Sequence, residues 1–197
     1  MPPAPLIVTL HGSGRNGKIL IEHWAGLAQK EGIILAGPDA LTNQYWSSPV
    51  DGPSFLHDVI EAIKVKTAID PRCVYLFGHS AGAGFALQMA MLESEYLAAI
   101  AIHAGALPPS DYRLTSYAVR KIPIWMTVGT EDPFFPLPQV RATRDVLQKE
   151  QFPVELVEIP HHTHDYYSRS RSINDAVWQF LSKQSLQSDP KYARYAE

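Results

Sequence analysis

Apolar residues along this chain fall into short unbroken runs separated by stretches of helical spacing. The runs Leu6–Leu10, Ile33–Ala36, Val74–Phe77, Ala98–His103 and Ile122–Val128 are almost continuously apolar, as expected of strands covered on both faces. Val154–Ile159 alternates polar with apolar residues, which suits a strand near a sheet edge. Between them, Ile19–Ala28, Phe55–Val65, Ala81–Glu93, Val140–Glu150 and Ile173–Leu181 carry helical patterns. Phe55, Leu56, Val59, Ile60 and Ile63 share one helix face, and Pro138 suits a first helical turn. Such alternation predicts a three-layer α/β fold, with a mostly parallel sheet of about six strands and helices on both faces. Thr42–Pro53 and Ala104–Lys121 fit no element and read as long connections; the second stands where a crossover helix is expected and is a candidate pocket rim.

Composition narrows the class. A chain of 197 residues with 46% hydrophobic and 19% charged residues suits one globular domain over 1–197, with 187–197 a polar C-terminal tail. A net charge of -3 and scattered basic residues give no footprint for nucleic acid or an anionic membrane. No apolar run approaches the roughly 18 residues of a membrane span. The opening residues lack the basic region and cleavage site of a secretion signal. With Cys73 the single cysteine, no intrachain disulfide forms, and a reducing, cytoplasmic location is expected.

In sheets of this kind ligands bind beyond the carboxyl ends of the strands. Gly78-His79-Ser80-Ala81-Gly82 follows the third strand and opens a helix. Glycines two residues either side of a serine, between strand and helix, suit a sharp turn that lifts the hydroxyl clear of the backbone. By chance a chain this long meets that pattern about once in fifteen, so its context matters more than the match. A serine hydroxyl needs a base and an orienting acid. Gly129-Thr130-Glu131-Asp132 follows the fifth strand, and His161-His162-Thr163-His164-Asp165 follows the sixth. Asp132 is the preferred acid over Glu131. His164 is the preferred base, with His162 the alternative. A metal site at His162-Thr163-His164 is disfavoured because no second cluster with ligand spacing accompanies it. The first strand ends in His11-Gly12-Ser13-Gly14, which lacks the Lys-Ser/Thr pair of a nucleotide loop. It suits one half of an oxyanion hole, with the Ser13 amide as one donor and the Ala81 amide as the other.

The segments LHGSGRNG, IDPRCVYLFGHSAGAG, AAIAIHAGA, GTEDPFFP and HTHDYY resemble, in order, the landmarks of α/β-hydrolase serine esterases. The nearest likeness is to the polyhydroxybutyrate depolymerase, feruloyl esterase and phospholipase/carboxylesterase groups. The resemblance covers Leu6 to Leu181 and implies Ser80 as nucleophile, Asp132 as acid and His164 as base, without a cofactor. The histidine ahead of an acidic and aromatic run is what favours His164. These families commonly carry glycine directly before that histidine and two further strands at the front; both are missing here. A sheet in the order 2-1-3-4-5-6 is therefore expected, its uncovered edge bare or paired with another subunit. The oligomeric state is left open.

Aromatic residues gather near the expected site: Tyr45, Trp46, Phe134, Phe135, Tyr166 and Tyr167. Trp46 and Phe134 are the candidates for an apolar substrate pocket. Hydrolysis of a carboxylic ester through an acyl-enzyme is the expected activity. A peptidase or thioesterase with the same triad, or a non-catalytic binding module on the same fold, are the alternatives.

Overall fold

The structure is a computed structural model that describes residues 3–48 and 50–193. Six parallel strands, β1 (Ala4–Leu10), β2 (Ile34–Ala36), β3 (Ile69–His79), β4 (Ala99–His103), β5 (Ile124–Gly129) and β6 (Val154–Ile159), form one sheet in the order β2-β1-β3-β4-β5-β6. Helices α1 (Gly17–Glu31), α2 (Pro53–Lys66), α3 (Ala81–Leu92), α4 (Leu137–Lys149) and α5 (Tyr166–Leu181) connect or follow them. Order and direction agree with the expectation from sequence.

The unbroken apolar runs have a direct cause. Leu6, Val8 and Leu10 of β1 point into a core shared with α2, α3 and α4, while Ile7 points into a second core with α1 and α5. Ile100 and Ile102 against Ala99 and Ala101 repeat the division in β4. With both faces covered, successive side chains all leave water. β6 lies at the sheet edge, and its exposed and half-buried residues alternate as the sequence pattern requires.

Boundaries differ where tertiary contacts outweigh local pattern. β3 begins upstream of Val74, because Ala4 pairs with Ile69 before a shift of register. α5 begins at Tyr166 rather than Ile173, since Asp165 accepts from the Tyr167 amide and caps a first turn whose serines and arginines hide the helical period. The 104–121 connection holds a 3-10 segment, Pro109–Tyr117, which lies against α3 through a Gln88–Asp111 hydrogen bond. None of its residues lines the active-site cavity, so it is no pocket rim.

The expected tail is held against the body as far as residue 193; residues 194–197 lie outside the described part. Tyr192 stacks on His57 and its hydroxyl bonds Ser54 Oγ, while the Ala193 amide donates to Glu93 Oε2. Glu93 is buried, its Oε1 lacks a partner among the described residues, and burial pushes its carboxyl up to about 7.

Candidate active site

Ser80, Asp132 and His164 follow the carboxyl ends of β3, β5 and β6. β3 runs into Ser80, which adopts φ 56° and ψ −116°. A non-glycine residue there is strained by about 1–3 kcal/mol and persists only where its surroundings impose it. They do: the Ser80 amide donates to the His103 carbonyl at 3.1 Å. α3 then turns back so closely that a Cβ on Gly82 would overlap the Leu10 carbonyl, and one on Gly78 the Gly82 carbonyl. Glycine at both positions follows from that approach.

His164 Nε2 lies 2.9 Å from Ser80 Oγ, and His164 Nδ1 lies 2.8 Å from Asp132 Oδ2. A carboxylate only accepts, so the ring carries its hydrogen on Nδ1 and turns the Nε2 lone pair toward the hydroxyl. The Asp132 side chain is wholly buried, and its other oxygen accepts from the amides of Phe134 and Phe135 at 2.8 and 2.9 Å. Three donors thus fix the carboxylate. Glu131, the other acid considered, pairs instead with exposed His161 at 2.9 Å.

The alternative base, His162, meets a different partner. His162 is buried and turned away from Ser80, with its Nε2 3.2 Å from His103 Nε2. The two histidines of His162-Thr163-His164 face different partners, and among the described residues no group of three or more His, Cys, Asp or Glu could hold a metal.

Ser13 and Ala81 both border the cavity beside Ser80. Neither amide donates to another group among the described hydrogen bonds, whereas the neighbouring Gly14 amide bonds Asn43 and the Arg15 amide bonds Gly12. The loop carrying Ser13 rests on the 41–48 connection. Ser13 Oγ donates to the Gln44 carbonyl, and Trp46 Nε1 donates to the His11 carbonyl at 2.8 Å. Buried Asp51 fixes that connection in turn, accepting from the Leu41 and Ser47 amides at 2.8 Å each.

The cavity over Ser80 measures about 930 Å³. Pro133, Phe134 and Phe135 line it together with Arg15, Asp165 and Tyr167. Phe134 lines the cavity, is 69% exposed and sits edge-on to the His164 ring. Trp46 is not among the described residues lining the cavity: it stacks on Phe85, lies tilted against His11 and bonds the loop through its indole N–H. Tyr45 also stays outside, and Tyr166 is buried beneath.

Several contributors carry no sequence motif. Arg15 lies over the Tyr167 ring at 5.3 Å, and burial raises the Tyr167 phenol. His79 lies against the His164 ring, and His103 against His79. Burial, then the neighbouring His164, lowers His79 to about 3; burial and the adjoining imidazoles hold His103 well below its usual value; burial and Arg169 lower His162.

A serine on a strained strand-to-helix turn, in this strand order, belongs to a fold of the α/β-hydrolase type. Residues 39–188 match the dienelactone hydrolase family, and the chain belongs to that family. A bifunctional acetylxylan esterase/xylanase of Neocallimastix patriciarum is 30% identical over 135 residues, 66% of this chain and 20% of that protein. The chain thus spans about a fifth of that curated relative's length. Among solved structures, esterase PE8 superposes with a TM-score of 0.73 at 20% identity, covering 92% of this chain and 93% of its own. The fluorophosphonate-binding serine hydrolase FphF of Staphylococcus aureus gives 0.76 at 14% identity, covering 92% and 85%. Family match and superposed structures agree on a fold of the α/β-hydrolase type. No helix of the described residues is long and apolar enough to cross a membrane.

Proposed function

We propose that the chain is one hydrolase domain that cleaves carboxylic esters with Ser80, His164 and Asp132 as its triad. The unbroken hydrogen-bond path Asp132–His164–Ser80 carries this reading. His164 Nε2 takes the hydroxyl proton as Ser80 Oγ attacks the ester carbonyl, while Asp132 steadies the imidazolium. The tetrahedral oxyanion is held by the Ser13 and Ala81 amides, each worth about 3 kcal/mol to the transition state. His164 then passes its proton to the leaving alcohol oxygen. Water, activated by the same ring, frees the acid from the acyl-enzyme.

The lining argues for a small acyl group. No Leu, Ile, Val or Met lines the cavity among the described residues, so nothing there offers a long alkyl chain a dry channel. The exposed Phe134 ring and the Arg15–Tyr167 pair suit a broad, partly polar alcohol. The acetylxylan esterase relative supports an acetylated carbohydrate as that alcohol's class. The single cysteine supports a reducing compartment, the cytoplasm.

The test is a series of p-nitrophenyl esters from acetate to decanoate, with acetylated xylo-oligosaccharide and methyl ferulate, alongside labelling by a fluorophosphonate. Expected are a fall in kcat/KM beyond butyrate, labelling of the wild type, and loss of both labelling and turnover in Ser80→Ala. An unlabelled wild type would remove the triad reading and leave the binding-module alternative. Preference for decanoate would remove the small-acyl reading.

A further inference from the structure

Beside the triad, three more imidazoles lie end to end. His79 Nδ1 is 3.1 Å from His103 Nδ1, and His103 Nε2 is 3.2 Å from His162 Nε2. Two ring nitrogens at such distances form a hydrogen bond only when one carries the hydrogen and the other a lone pair.

The direction of this chain is fixed by one backbone group. His79 Nδ1 also lies 3.3 Å from the His103 carbonyl oxygen, which can only accept. His79 therefore carries its hydrogen on Nδ1. That leaves a lone pair on His103 Nδ1, so His103 carries its hydrogen on Nε2. His162 Nε2 accepts it, and His162 keeps its hydrogen on Nδ1. All three rings are then neutral, in keeping with their burial.

Both ends of the chain meet the triad. His79 precedes Ser80, and its ring leans on His164 with centroids 5.0 Å apart. His162 stands two residues before His164, and its carbonyl accepts the Glu131 amide at 2.9 Å, next to Asp132. The His103 carbonyl also accepts the Ser80 amide. Fully buried Tyr166 lies against both His79 and His103.

We propose that His103 and His162 are positioning residues: the one-way chain His79–His103–His162 ties the turn carrying Ser80 to the loop carrying His164 and so sets their separation. The proposal rests on the triad reading, and neither residue touches the reacting atoms.

Two measurements test it. In wild-type protein with ¹⁵N-labelled histidine at pH 7.5, long-range proton–nitrogen correlations should show the hydrogen on Nδ1 of His79, Nε2 of His103 and Nδ1 of His162. A hydrogen on His103 Nδ1, or a charged ring among the three, overturns the proposal whatever the activity. In kinetics, His162→Leu removes the acceptor at similar volume and should lower kcat by about tenfold or more, with KM within about twofold. His162→Gln places an amide oxygen near the Nε2 position and should recover most of that loss. A folded His162→Leu with wild-type kcat, or a His162→Gln that falls equally far, overturns the positioning role. Fluorophosphonate labelling keeps the two readings apart. With wild type labelled, a failed variant series refutes the chain alone; with wild type unlabelled, the triad reading fails and the nitrogen correlations still judge the chain's direction.

Discussion

Acidification from pH 7.5 to 5 sets two buried groups against each other. His79 falls from 6.5 in the unfolded chain to about 3 when folded. Between those values the unfolded state binds the extra proton, so His79 subtracts stability as pH drops below 6.5. At pH 5 the loss relative to pH 7.5 is about 2 kcal/mol. Glu93 runs the other way: from 4.5 unfolded to about 7 folded, it keeps a proton that the unfolded chain has released. Its contribution is complete below 4.5 and is lost as pH rises through 7, a gain of about 2 kcal/mol on going from pH 7.5 to 5. In the wild type these two nearly cancel. Glu93→Gln removes one side and exposes the other, with His103 and His162 adding in the direction of His79. Urea unfolding followed by tryptophan fluorescence should show Glu93→Gln losing at least about 2 kcal/mol more than wild type over that range. Equal pH slopes for the two proteins would refute the reasoning.

Three further outcomes follow from the site. Asp132→Asn keeps the shape of the acid but not its fixed hold on the His164 tautomer, and should lower kcat by about 10⁴ on a p-nitrophenyl acetate assay. Trp46→Phe deletes the indole N–H that bonds the His11 carbonyl; one such bond is worth about 1 kcal/mol, so kcat should fall by about fivefold while KM holds. Phe134→Ala removes an exposed ring, so melting should hold within about 0.5 kcal/mol while KM for aryl esters rises.

The sheet was readable because its strands are buried on both faces, and continuous apolar runs such as Ala98–His103 arise in few other ways. That Ser80, Asp132 and His164 meet was open to sequence reasoning because each follows a strand end on the same rim of the sheet. Choosing among His161, His162 and His164 was harder, since a loop has no period to say which way a side chain points. His162 turns inward because His103 awaits it, 59 residues upstream. Trp46 shows the same limit: its aromatic character pointed to the site, but its role depends on an N–H aimed at the His11 carbonyl. The start of α5 was hidden because Ser168-Arg169-Ser170-Arg171-Ser172 shows no apolar face, although buried Tyr166 and Ser170 anchor that turn.

The docked end of the chain bears on where this protein tolerates shortening. Residues after Leu186 look dispensable by composition, yet Lys191 bonds the Glu95 carbonyl through its amide, and Tyr192 covers the ring of His57. A stop placed at the end of α5 would strip these contacts together with the Ala193 amide's bond to Glu93 Oε2. The packed body of the protein therefore extends through Ala193, a dozen residues past the last helix.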